Sequence, residues 1–377
     1  MAMSSSAAVG QDMTADRISV RELQGLLAAG RPVTVIDVRS PSDVDWEIPG
    51  AIHIDAYADL QSGRLGPLAK LSLTQGPVVT VCGVGRTAAI AADLLGANGV
   101  EALALDGGMR AWSLAWNTAQ TKISGCEVIQ VRRTGKGCLS YIVESDSEVV
   151  VIDASVEPDV YIRLLRERGW RLLAVADTHI HADHLSRSRQ LAHMEGAALL
   201  LPTQDRAQYR FRPVADGDRI AFGSTALVAM HTPGHTEEST SYLLDTAAVL
   251  TGDTLFLNSV GRPDLEGGTR EDLKSRAGLL HRSVRHLLEL PEATQVLPGH
   301  VSEAVPFDGR LLVTTVGKIR ETVGLARLDS EAFVDAVLGR IPPDPPNHSR
   351  IVELNESGEV PEDPGELEAG ANRCAVA

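Results

Sequence analysis

The chain has 377 residues, of which 44% are hydrophobic and 23% are charged, and its formal net charge is −15. This length predicts two or three globular domains, and the acidic charge excludes nucleic acid and an anionic membrane surface as partners. We expect a cytoplasmic protein, because no stretch reaches the roughly 18 apolar residues of a membrane-spanning helix and the N-terminal MAMSSSAAVGQDM lacks the features of a secretory signal. Four cysteines in so long a chain are too few for a disulfide framework, so their thiols stay available for chemistry. They are Cys82, Cys126, Cys138 and Cys374.

The first block of the chain, residues 17–117, alternates strand-like and helix-like segments. Residues 33–38 and 78–82 are short β-branched runs that suit buried parallel strands. Residues 87–95 follow at once with helix-forming residues, and residues 103–106 end at a pair of glycines. Strands that alternate with helices predict a small α/β domain with a parallel sheet.

A polar stretch, residues 118–124, predicts a linker between this block and a second one. The second block starts near Cys126 and mixes strands with helices as far as His300. Its first strands are predicted at residues 127–132, 140–143 and 149–152.

Helices are predicted towards the C-terminus. One is expected over residues 269–290, because Thr269 and Asp272 resemble a capping box and apolar residues recur with a period of about 3.6. Two more are expected beyond residue 305, the second ending at Gly339 before a proline-rich segment. The candidate N-caps of that second helix are Asp329 and Ser330. Residues 351–377 hold seven acidic residues and one arginine, so we expect a solvated tail.

A cysteine stands at the junction of a strand and a helix in the first block. The strand ends at Cys82, residues 82–87 form a short loop, and a helix follows. Gly83 and Gly85 let the loop curl so that its amides point inward, and Arg86 adds a fixed positive charge. A sulfur at the positive end of a helix is favoured as a thiolate, and the same cradle suits an anion such as thiosulfate or a cysteine persulfide. A buried structural cysteine is the alternative, which the Gly-x-Gly-Arg-Thr context makes the weaker interpretation.

This block resembles the rhodanese family. The segment IDVRSPSDVDWEIPGAIHI at residues 36–54 and the closing motif LDGGMRAW at residues 105–112 carry the resemblance, in the family's order. The resemblance implies that Cys82 is the catalytic, sulfur-accepting nucleophile and that Arg86 and the loop amides bind the sulfur donor. The remaining residues of that loop are Gly83, Val84, Gly85 and Thr87.

Two departures from the rhodanese pattern stand in the sequence. Arg86 comes one position earlier than in the Cys-x-x-Gly-x-Arg of single-domain members, and Trp46-Glu47 replaces the usual Gly-His. A protein tyrosine phosphatase would need an arginine six residues after the cysteine, where this chain has Ala88. An idle sensor or docking domain is a further hypothesis, and the intact Cys82 argues against it.

The second block holds four segments of the kind that bind metals, in one order. Neutral imidazoles and carboxylates suit Zn²⁺ or Fe²⁺, and four of the candidate ligands fall within six residues of one another. The segments are THIHADHL with His179, His181, Asp183 and His184, HTPGHT with His235, TGDTLF with Asp253, and LPGH with His300. Each short motif alone is common in loops, but the conjunction of all four predicts a metal centre.

The order of these motifs resembles the metallo-β-lactamase superfamily over residues 124–305. The resemblance implies an αββα sandwich with metal at the loop edge of its two sheets. Two branches carry such motifs: persulfide dioxygenases with one Fe(II), and hydroxyacylglutathione hydrolases of glyoxalase II type with two metals such as Zn. The dioxygenase resemblance implies that His179, His235 and Asp253 hold the iron. The other four candidates are then pocket residues or, in a hydrolase, ligands of a second metal: His181, Asp183, His184 and His300.

Three features favour the dioxygenase branch. LNSVGRPDLEGG at residues 257–268 is similar to that branch's Gly-Arg-x-Asp stretch, which implies that Arg262 binds the thiol substrate. The rhodanese-like block handles the same sulfane sulfur, and fusion raises the effective concentration of a shared intermediate. The C-terminal stretch from residue 342 to residue 377 resembles the tail of bacterial members. Its Cys374 is either a functional thiol or a disordered bystander, and the bystander is the favoured interpretation.

These observations predict an α/β protein with three parts. They are a rhodanese-like parallel-sheet domain (14–118), a metallo-β-lactamase-fold sandwich (122–310), and a helical extension with an acidic tail (311–377). The predicted function is iron-dependent oxidation of a low-molecular-weight thiol persulfide, such as glutathione persulfide, by O₂ to sulfite, coupled to sulfur transfer through Cys82. The expected partners are the thiol persulfide, thiosulfate or sulfite, and O₂. A homo-oligomer is left open.

Overall fold

A computed structural model describes residues 15–71 and 76–376 of the chain. The N-terminal segment interpreted above as lacking a signal lies outside the described residues. The chain divides into two compact units, residues 1–112 and residues 113–377, and each is described by itself. Within the described residues no helix is both long enough and apolar enough to cross a membrane.

The first unit contains a parallel sheet of five strands. Its strands are β1 (Arg17–Ile18), β2 (Thr34–Asp37), β3 (Ile52–His53), β4 (Val78–Val81) and β5 (Ala102–Leu105). Its helices are α1 (Val20–Ala28), α2 (Tyr57–Gln61), α3 (Arg86–Ala97) and α4 (Gly108–Trp112), with short 3₁₀ turns at Pro41–Asp43 and Gly66–Lys70. The sheet order is β1-β5-β4-β2-β3, and every strand pair is parallel.

The cysteine loop begins at the end of β4, the central strand of this sheet. All four residues of β4 are buried, which is why the strand is continuously apolar apart from Thr80. The small side chains of Ala88 and Ala92 let α3 pack closely against the sheet, with Leu95 filling the end of the contact. The predicted α/β domain with a parallel sheet is confirmed.

The second unit contains two larger sheets. The first has the order β12-β11-β10-β9-β8-β7-β6 and the second has the order β13-β14-β15-β16-β18-β19. The strands of the first sheet are β6 (Asn117–Ile123), β7 (Cys126–Arg132), β8 (Leu139–Ser145), β9 (Glu148–Ile152), β10 (Arg171–Ala176), β11 (Ala198–Pro202) and β12 (Arg212–Val214). Those of the second are β13 (Arg219–Phe222), β14 (Thr225–His231), β15 (Thr240–Leu244), β16 (Ala248–Gly252), β18 (Gln295–Pro298) and β19 (Thr314–Thr315), and β17 (Val260–Gly261) pairs separately with β20 (Ala375–Val376).

The helices of this unit cover both outer faces of the sheet pair. They are α5 (Pro158–Arg168), α6 (Ser188–Glu195), α7 (Arg270–Leu287), α8 (Val316–Thr322), α9 (Ser330–Leu338), α10 (His348–Ser357) and α11 (Pro364–Glu368), with a 3₁₀ turn at Leu325–Arg327. Val143 of one sheet and Leu227 of the other belong to one core cluster, so the sheets pack face to face. Tyr161 of α5 packs on the outer face of the first sheet, and Leu280 of α7 packs on the second. This is the predicted αββα sandwich, which is confirmed.

The predicted linker at residues 118–124 is wrong, because these residues form β6. The strand pairs with β7 along its whole length, from Asn117 opposite Arg132 to Ile123 opposite Cys126. Ala119 and Ile123 are buried while residues 120–122 are exposed. An edge strand with one solvated face is polar at most of its positions. Its composition therefore resembles that of a linker, which is why the sequence predicted one.

Two predicted helices are confirmed with their caps. Helix α7 begins after Thr269, whose side chain accepts the backbone N–H of Asp272 while the Asp272 carboxylate accepts that of Thr269. Helix α9 has Asp329 as its N-cap and Gly339 as its C-cap. Local capping chemistry is readable from sequence because both partners lie within one turn.

The expectation of a solvated C-terminal tail is wrong. Ile351 and Leu354 of α10 are buried against Leu185, and Glu368 at the end of α11 is fully buried. The last strand, β20, pairs with β17. Most of the acidic side chains face solvent, so the composition of this segment conceals the apolar and paired residues that anchor it.

Candidate metal centre and cysteine loop

The cysteine loop of the first unit joins β4 to α3. Gly85 is the N-cap of α3 and has a φ of 87°, a left-handed conformation that a glycine adopts without strain. The Cys82 sulfur accepts the backbone N–H of Ala88 at 3.3 Å. The thiol therefore lies at the N-terminus of a helix, as predicted, with Arg86 and Val84 exposed on the solvent side of the loop.

The closing motif of the first unit, at the start of α4, makes backbone hydrogen bonds to this loop. The backbone N–H of Met109 donates to the Cys82 carbonyl at 2.8 Å, and that of Arg110 donates to the Gly83 carbonyl at 2.9 Å. A Cβ atom on Gly108 would collide with the Cys82 carbonyl oxygen. The start of α4 therefore engages the carbonyls of the first two loop residues.

The Asp-x-Arg motif of the first unit is structural. Arg39 donates to the Asp37 carboxylate at 2.6 Å and to the backbone carbonyl of Trp46 at 2.7 Å, and both charged side chains are buried. A third donation goes to the carbonyl of Asp43 at 2.7 Å. The ion pair therefore ties the segment after β2 to the sheet.

In the second unit, the predicted metal-type residues converge at one edge of the sandwich. The histidine loop, residues 177–187, follows β10, and His235 lies between β14 and β15. Asp253 follows β16, and His300 follows the parallel neighbour β18. All seven predicted side chains are at most 2% exposed: His179, His181, Asp183, His184, His235, Asp253 and His300.

Three of these side chains form one group. The Nε2 atoms of His179 and His235 lie 3.9 and 3.6 Å from Oδ2 of Asp253. None of these three buried atoms has a hydrogen-bond partner among the described residues. Buried polar atoms without partners are costly, and a divalent cation would satisfy all three. The donor set of two imidazoles and one carboxylate fits Fe(II) or Zn(II).

Hydrogen bonds fix which nitrogen of each histidine is free. Nδ1 of His235 donates to the backbone carbonyl of Arg262 at 2.8 Å, so its Nε2 keeps a lone pair. The Thr178 hydroxyl gives its one proton to Asp153, so it can only accept from Nδ1 of His179 at 2.9 Å. Both Nε2 atoms therefore carry the lone pair that a metal ligand needs.

Electrostatics favours the same protonation states. Burial lowers the pKa of both His179 and His235. Burial would raise the pKa of Asp253, but the charge and the hydrogen bond of His300 lead the effects that outweigh it and hold that pKa below its usual range. Two neutral imidazoles and a carboxylate are the ligand forms of these groups.

His300 lies between two carboxylates. Its Nδ1 is 2.5 Å from Oδ1 of Asp253 and its Nε2 is 2.8 Å from Oδ2 of Asp183. Burial would lower the pKa of His300, but the two carboxylates outweigh it and raise that pKa well above its usual value. One oxygen of Asp253 is therefore engaged by His300, and the other faces His179 and His235.

A second group brings together three predicted residues and one that sequence reasoning missed. Its members are Cys138, Asp183, His184 and His300. The Cys138 thiol donates to Asp183 at 3.3 Å, and an isolated bridge pairs Cys138 with His300. A single cysteine at the start of a strand has no sequence signal that distinguishes it from a core residue.

His181 belongs to a different group. Its Nε2 lies 3.3 Å from Oδ1 of Asp153, and Asp177 completes the cluster. Burial would lower the pKa of His181, but Asp153 and Asp177 outweigh it and raise that pKa to about 9. Sequence reasoning missed both aspartates, although each directly follows a buried parallel strand, at the edge where sites form.

Cys374 lies in the centre, so its interpretation as a disordered bystander is wrong. The pairing of β20 with β17 brings it there, and its sulfur is within 4.8 Å of ligand atoms of Asp253 and His300. The residue is 1% exposed, and burial together with the charges of Asp183 and Asp253 raises the pKa of its thiol well above the usual value.

Arg262, predicted to bind the thiol substrate, is fully buried and has internal partners. Its guanidinium donates to Asp264 at 2.7 Å and to Asp344 at 2.8 Å. It also donates to the backbone carbonyls of Pro343 and Arg373. In this arrangement the side chain holds the C-terminal segment, and thiol binding stays a prediction.

A cavity of about 370 Å³ opens beside His300. Its size suits a small molecule, and its wall mixes apolar and polar groups. The lining includes Phe256, Asn258, Ser259, Val301, Ser302 and Ala375. Ala375 follows Cys374, so the C-terminal segment contributes to the wall.

Two protein families match the chain. The rhodanese-like domain matches residues 19–115, and the metallo-beta-lactamase superfamily matches residues 133–300. The two matches lie on the two compact units that contain the cysteine loop and the metal-type cluster.

Individual relatives match about half of the chain or more. The bovine protein "Persulfide dioxygenase ETHE1, mitochondrial" is 32% identical over 190 residues, which are 50% of this chain and 70% of that protein. A hydroxyacylglutathione hydrolase of Methylobacterium sp. (strain 4-46) is 27% identical over 210 residues, 48% of this chain and 79% of that protein. The crystal structure of ETHE1 from Myxococcus xanthus superposes with a TM-score of 0.53 at 29% identity, covering 61% of this chain and 97% of that one.

Proposed function

The chain belongs to the metallo-beta-lactamase superfamily and carries an N-terminal rhodanese-like domain, and from this premise we propose that it is an iron-dependent persulfide dioxygenase with a sulfurtransferase domain. The proposed reaction converts a thiol persulfide, O₂ and water into the thiol, sulfite and two protons. The outer sulfur is oxidised, O₂ is reduced, and the S–S bond breaks. Glutathione persulfide is the substrate that we propose.

The observation that carries this proposal is the group formed by His179, His235 and Asp253. Their three buried, unpartnered donor atoms converge, and two imidazoles with one carboxylate are typical of Fe(II) sites that react with O₂. An Fe(II) ion held there would supply the one-electron chemistry that O₂ needs to react with a persulfide. We propose one iron per dioxygenase domain.

The contact between His300 and Asp253 favours a centre with one metal. Both of its ring nitrogens face carboxylate oxygens, of Asp253 at 2.5 Å and of Asp183 at 2.8 Å. Nδ1 is engaged by its hydrogen bond with Asp253, whereas the buried Nε2 makes no hydrogen bond among the described residues. Because His300 engages Oδ1 of Asp253, Oδ2 is the oxygen of that carboxylate left for a metal in the group with His179 and His235.

The other residues of the centre orient and enclose the reaction. Thr178 and the Arg262 carbonyl hold the two imidazoles in their orientations. The buried position of the group excludes bulk water, and the cavity beside His300 accommodates the thiol part of the substrate. In this proposal His181, Asp183 and His184 are pocket residues that hold the loop in shape.

The rhodanese-like domain supplies or consumes the shared sulfur. The Cys82 thiolate attacks the outer sulfur of thiosulfate, the S–S bond breaks, sulfite leaves, and Cys82 carries a persulfide. A thiol then accepts that sulfur and becomes the persulfide substrate, or sulfite accepts it and thiosulfate is formed. Arg86 and the amides of Gly83, Val84, Gly85 and Thr87 bind the anion in either direction.

A hydroxyacylglutathione hydrolase is the second candidate. The group of Cys138, Asp183, His184 and His300 favours it, because these side chains could hold a second ion such as Zn²⁺. Relatives named as hydroxyacylglutathione hydrolases match 48% and 36% of the chain. Two metals and thioester cleavage would distinguish this function from oxygen consumption.

The test is oxygen uptake by protein reconstituted anaerobically with Fe(II), on addition of glutathione persulfide, with sulfite measured in parallel. We expect about one O₂ consumed for each sulfite formed. The matched control is Asp253→Asn, which removes the carboxylate charge at nearly constant volume. Thioester cleavage by the zinc-loaded protein, without oxygen uptake by the iron-loaded protein, would establish the hydrolase instead.

A further inference from the structure

The C-terminal segment, residues 341–376, contacts several stretches that bear the proposed metal-site residues. We propose that this segment is an integral part of the centre and that Asn355 and Glu368 are positioning residues for the histidine loop. The inference rests on the proposed metal site, but it does not depend on which reaction the metal supports. It gives the segment the role of holding the histidine loop, whereas its acidic composition predicted a solvated tail.

Asn355 of α10 uses its whole side chain on the histidine loop. Its Nδ2 donates to the backbone carbonyls of His181 at 2.8 Å and His184 at 2.9 Å. Its Oδ1 accepts the backbone N–H of Ser186 at 2.9 Å. One buried amide thus holds three backbone groups of a loop that has no regular hydrogen-bond ladder of its own.

Glu368 of α11 holds the next residues of the same loop. It accepts the backbone N–H of Leu185 at 2.7 Å and pairs with Arg187 at 3.2 Å. It also pairs with Arg133 at 3.3 Å, and Arg133 in turn lies in the turn that precedes Cys138. Glu368 and Arg133 are fully buried and Arg187 is 2% exposed.

Loss of the Glu368 charge would leave two buried guanidinium groups without their common anion. Arg187 would keep the solvent-exposed Glu157 at 3.3 Å and Arg133 would keep backbone carbonyls, so both buried charges would be poorly compensated and the loop would shift. Asp183 and His184 stand two and one residues before the N–H that Glu368 accepts. A shift there would change the electrostatic contacts of Asp183 with His300, and through His300 those of Asp253.

The segment also makes hydrogen bonds to backbone groups near Cys138, His300 and His235. Nδ2 of Asn372 donates to the carbonyls of Lys136 at 3.0 Å and Val301 at 2.9 Å, beside Cys138 and His300 respectively. The backbone N–H of Arg262 donates to the Cys374 carbonyl at 3.1 Å. Each of these contacts reaches a stretch that bears or orients a proposed metal-site residue.

The superfamily match ends at residue 300, so this segment lies beyond it. The ligand motifs alone are then insufficient for the centre, and metal affinity becomes a property of contacts from outside the matched region. Side chains that orient metal ligands through a second layer of contacts change metal affinity by about 10–100-fold when they are removed.

The test compares Glu368→Gln with Glu366→Gln, an exposed position on the same helix. Cobalt(II) is the probe, because its visible spectrum reports ligand geometry and its affinity is measured by competition with a chelator. We expect the Glu368→Gln variant to bind cobalt(II) at least about 10-fold more weakly with an altered spectrum. The Glu366→Gln variant should match the wild type in both respects.

Asn355→Ala is the second variant, with Glu353→Gln on the exposed face of α10 as its control. Circular dichroism and unfolding of the metal-free proteins establish whether each variant is folded. Wild-type cobalt(II) affinity in folded Glu368→Gln and Asn355→Ala proteins would overturn the proposal. So would global unfolding of both, since the segment would then support the whole fold rather than the loop. Oxygen uptake is not a readout here, so failure of the proposed reaction leaves this result interpretable.

Discussion

The backbone carbonyl of Arg262 accepts a 2.8 Å hydrogen bond from Nδ1 of His235, so the backbone of the residue predicted to bind substrate orients a proposed metal ligand. Its guanidinium meanwhile connects the neighbouring loop to the C-terminal segment through Asp264 and Asp344. Residues 260–262 therefore contact both a proposed metal ligand and the C-terminal segment. We expect their substitution to lower the stability of the fold before it affects substrate binding.

Arg262→Ala should lower the free energy of unfolding of the metal-free protein by about 2 kcal/mol, because several hydrogen bonds to a buried cation are lost. The measurement is urea denaturation, with Arg212→Ala at an exposed position as the control. A rise in KM for the persulfide with unchanged stability would instead support the predicted role of Arg262 in thiol binding.

His235→Ala should reduce bound iron from about one ion per chain to nearly none, because one of three proposed ligands is absent. His184→Ala should leave roughly one ion bound if the centre holds a single metal. Metal content after dialysis, measured by mass spectrometry, distinguishes these outcomes, and His193→Ala on the exposed face of α6 is the control. A fall from two ions to one in the His184→Ala variant would favour the hydrolase.

Cys82→Ser should reduce sulfur transfer from thiosulfate to background, because a hydroxyl is a far weaker nucleophile for sulfur than a thiolate. Oxygen uptake with glutathione persulfide should be unchanged, since the proposed iron ligands all lie in the second unit. The assays are thiocyanate formation from cyanide and oxygen electrode measurements. Sulfur transfer that survives the substitution would remove Cys82 from its proposed role.

Gly108→Ala should disrupt the cysteine loop through the close contact between α4 and the Cys82 carbonyl. The added Cβ would collide with the Cys82 carbonyl, and Gly108 has a φ of 57°, which alanine adopts only with strain. We expect a loss of about 1–3 kcal/mol in stability together with weaker sulfur transfer. Gly96→Ala is the control, because a Cβ there meets no atom within 4 Å and helix propensity should rise.

The pH dependence of stability should reveal the buried Glu368. Burial would raise the pKa of its carboxyl, but Arg133 and Arg187 outweigh it and lower that pKa below its usual value. A carboxyl with a depressed folded pKa contributes stability above its unfolded pKa of about 4.3, and this contribution is lost as pH falls through the folded pKa. The stability gap between wild type and Glu368→Gln, measured by urea denaturation, should therefore be full at pH 7 and narrow below about pH 4. A gap independent of pH would show that the carboxylate charge is not what stabilises the segment.

Much of the fold could be predicted because its signals are local. The capping box of Thr269 with Asp272 spans one helical turn, and the apolar runs of β4 and β9 report strands buried on both faces. The metal-type motifs were readable for the same reason, since His179, His181, Asp183 and His184 crowd into one loop. Predictions from composition were wrong where one face of an element is solvated. Strand β6 was predicted as a linker, and the C-terminal helices were predicted as a solvated tail.

The sequence by itself determined the two domains, the family resemblances, Cys82 at the head of a helix and the pool of candidate metal ligands. Only the tertiary structure decided how that pool divides: His179 with His235 and Asp253, His181 with Asp153, and His300 between two carboxylates. It also brought Cys138, Cys374 and Glu368 to the centre, the last of them 183 residues from the N–H that it accepts. Capping and periodicity act within a few residues, whereas the register of the sheets and the packing of the tail set which distant side chains share a dry pocket. That is why the ligand types could be predicted from the chain and their partners could not.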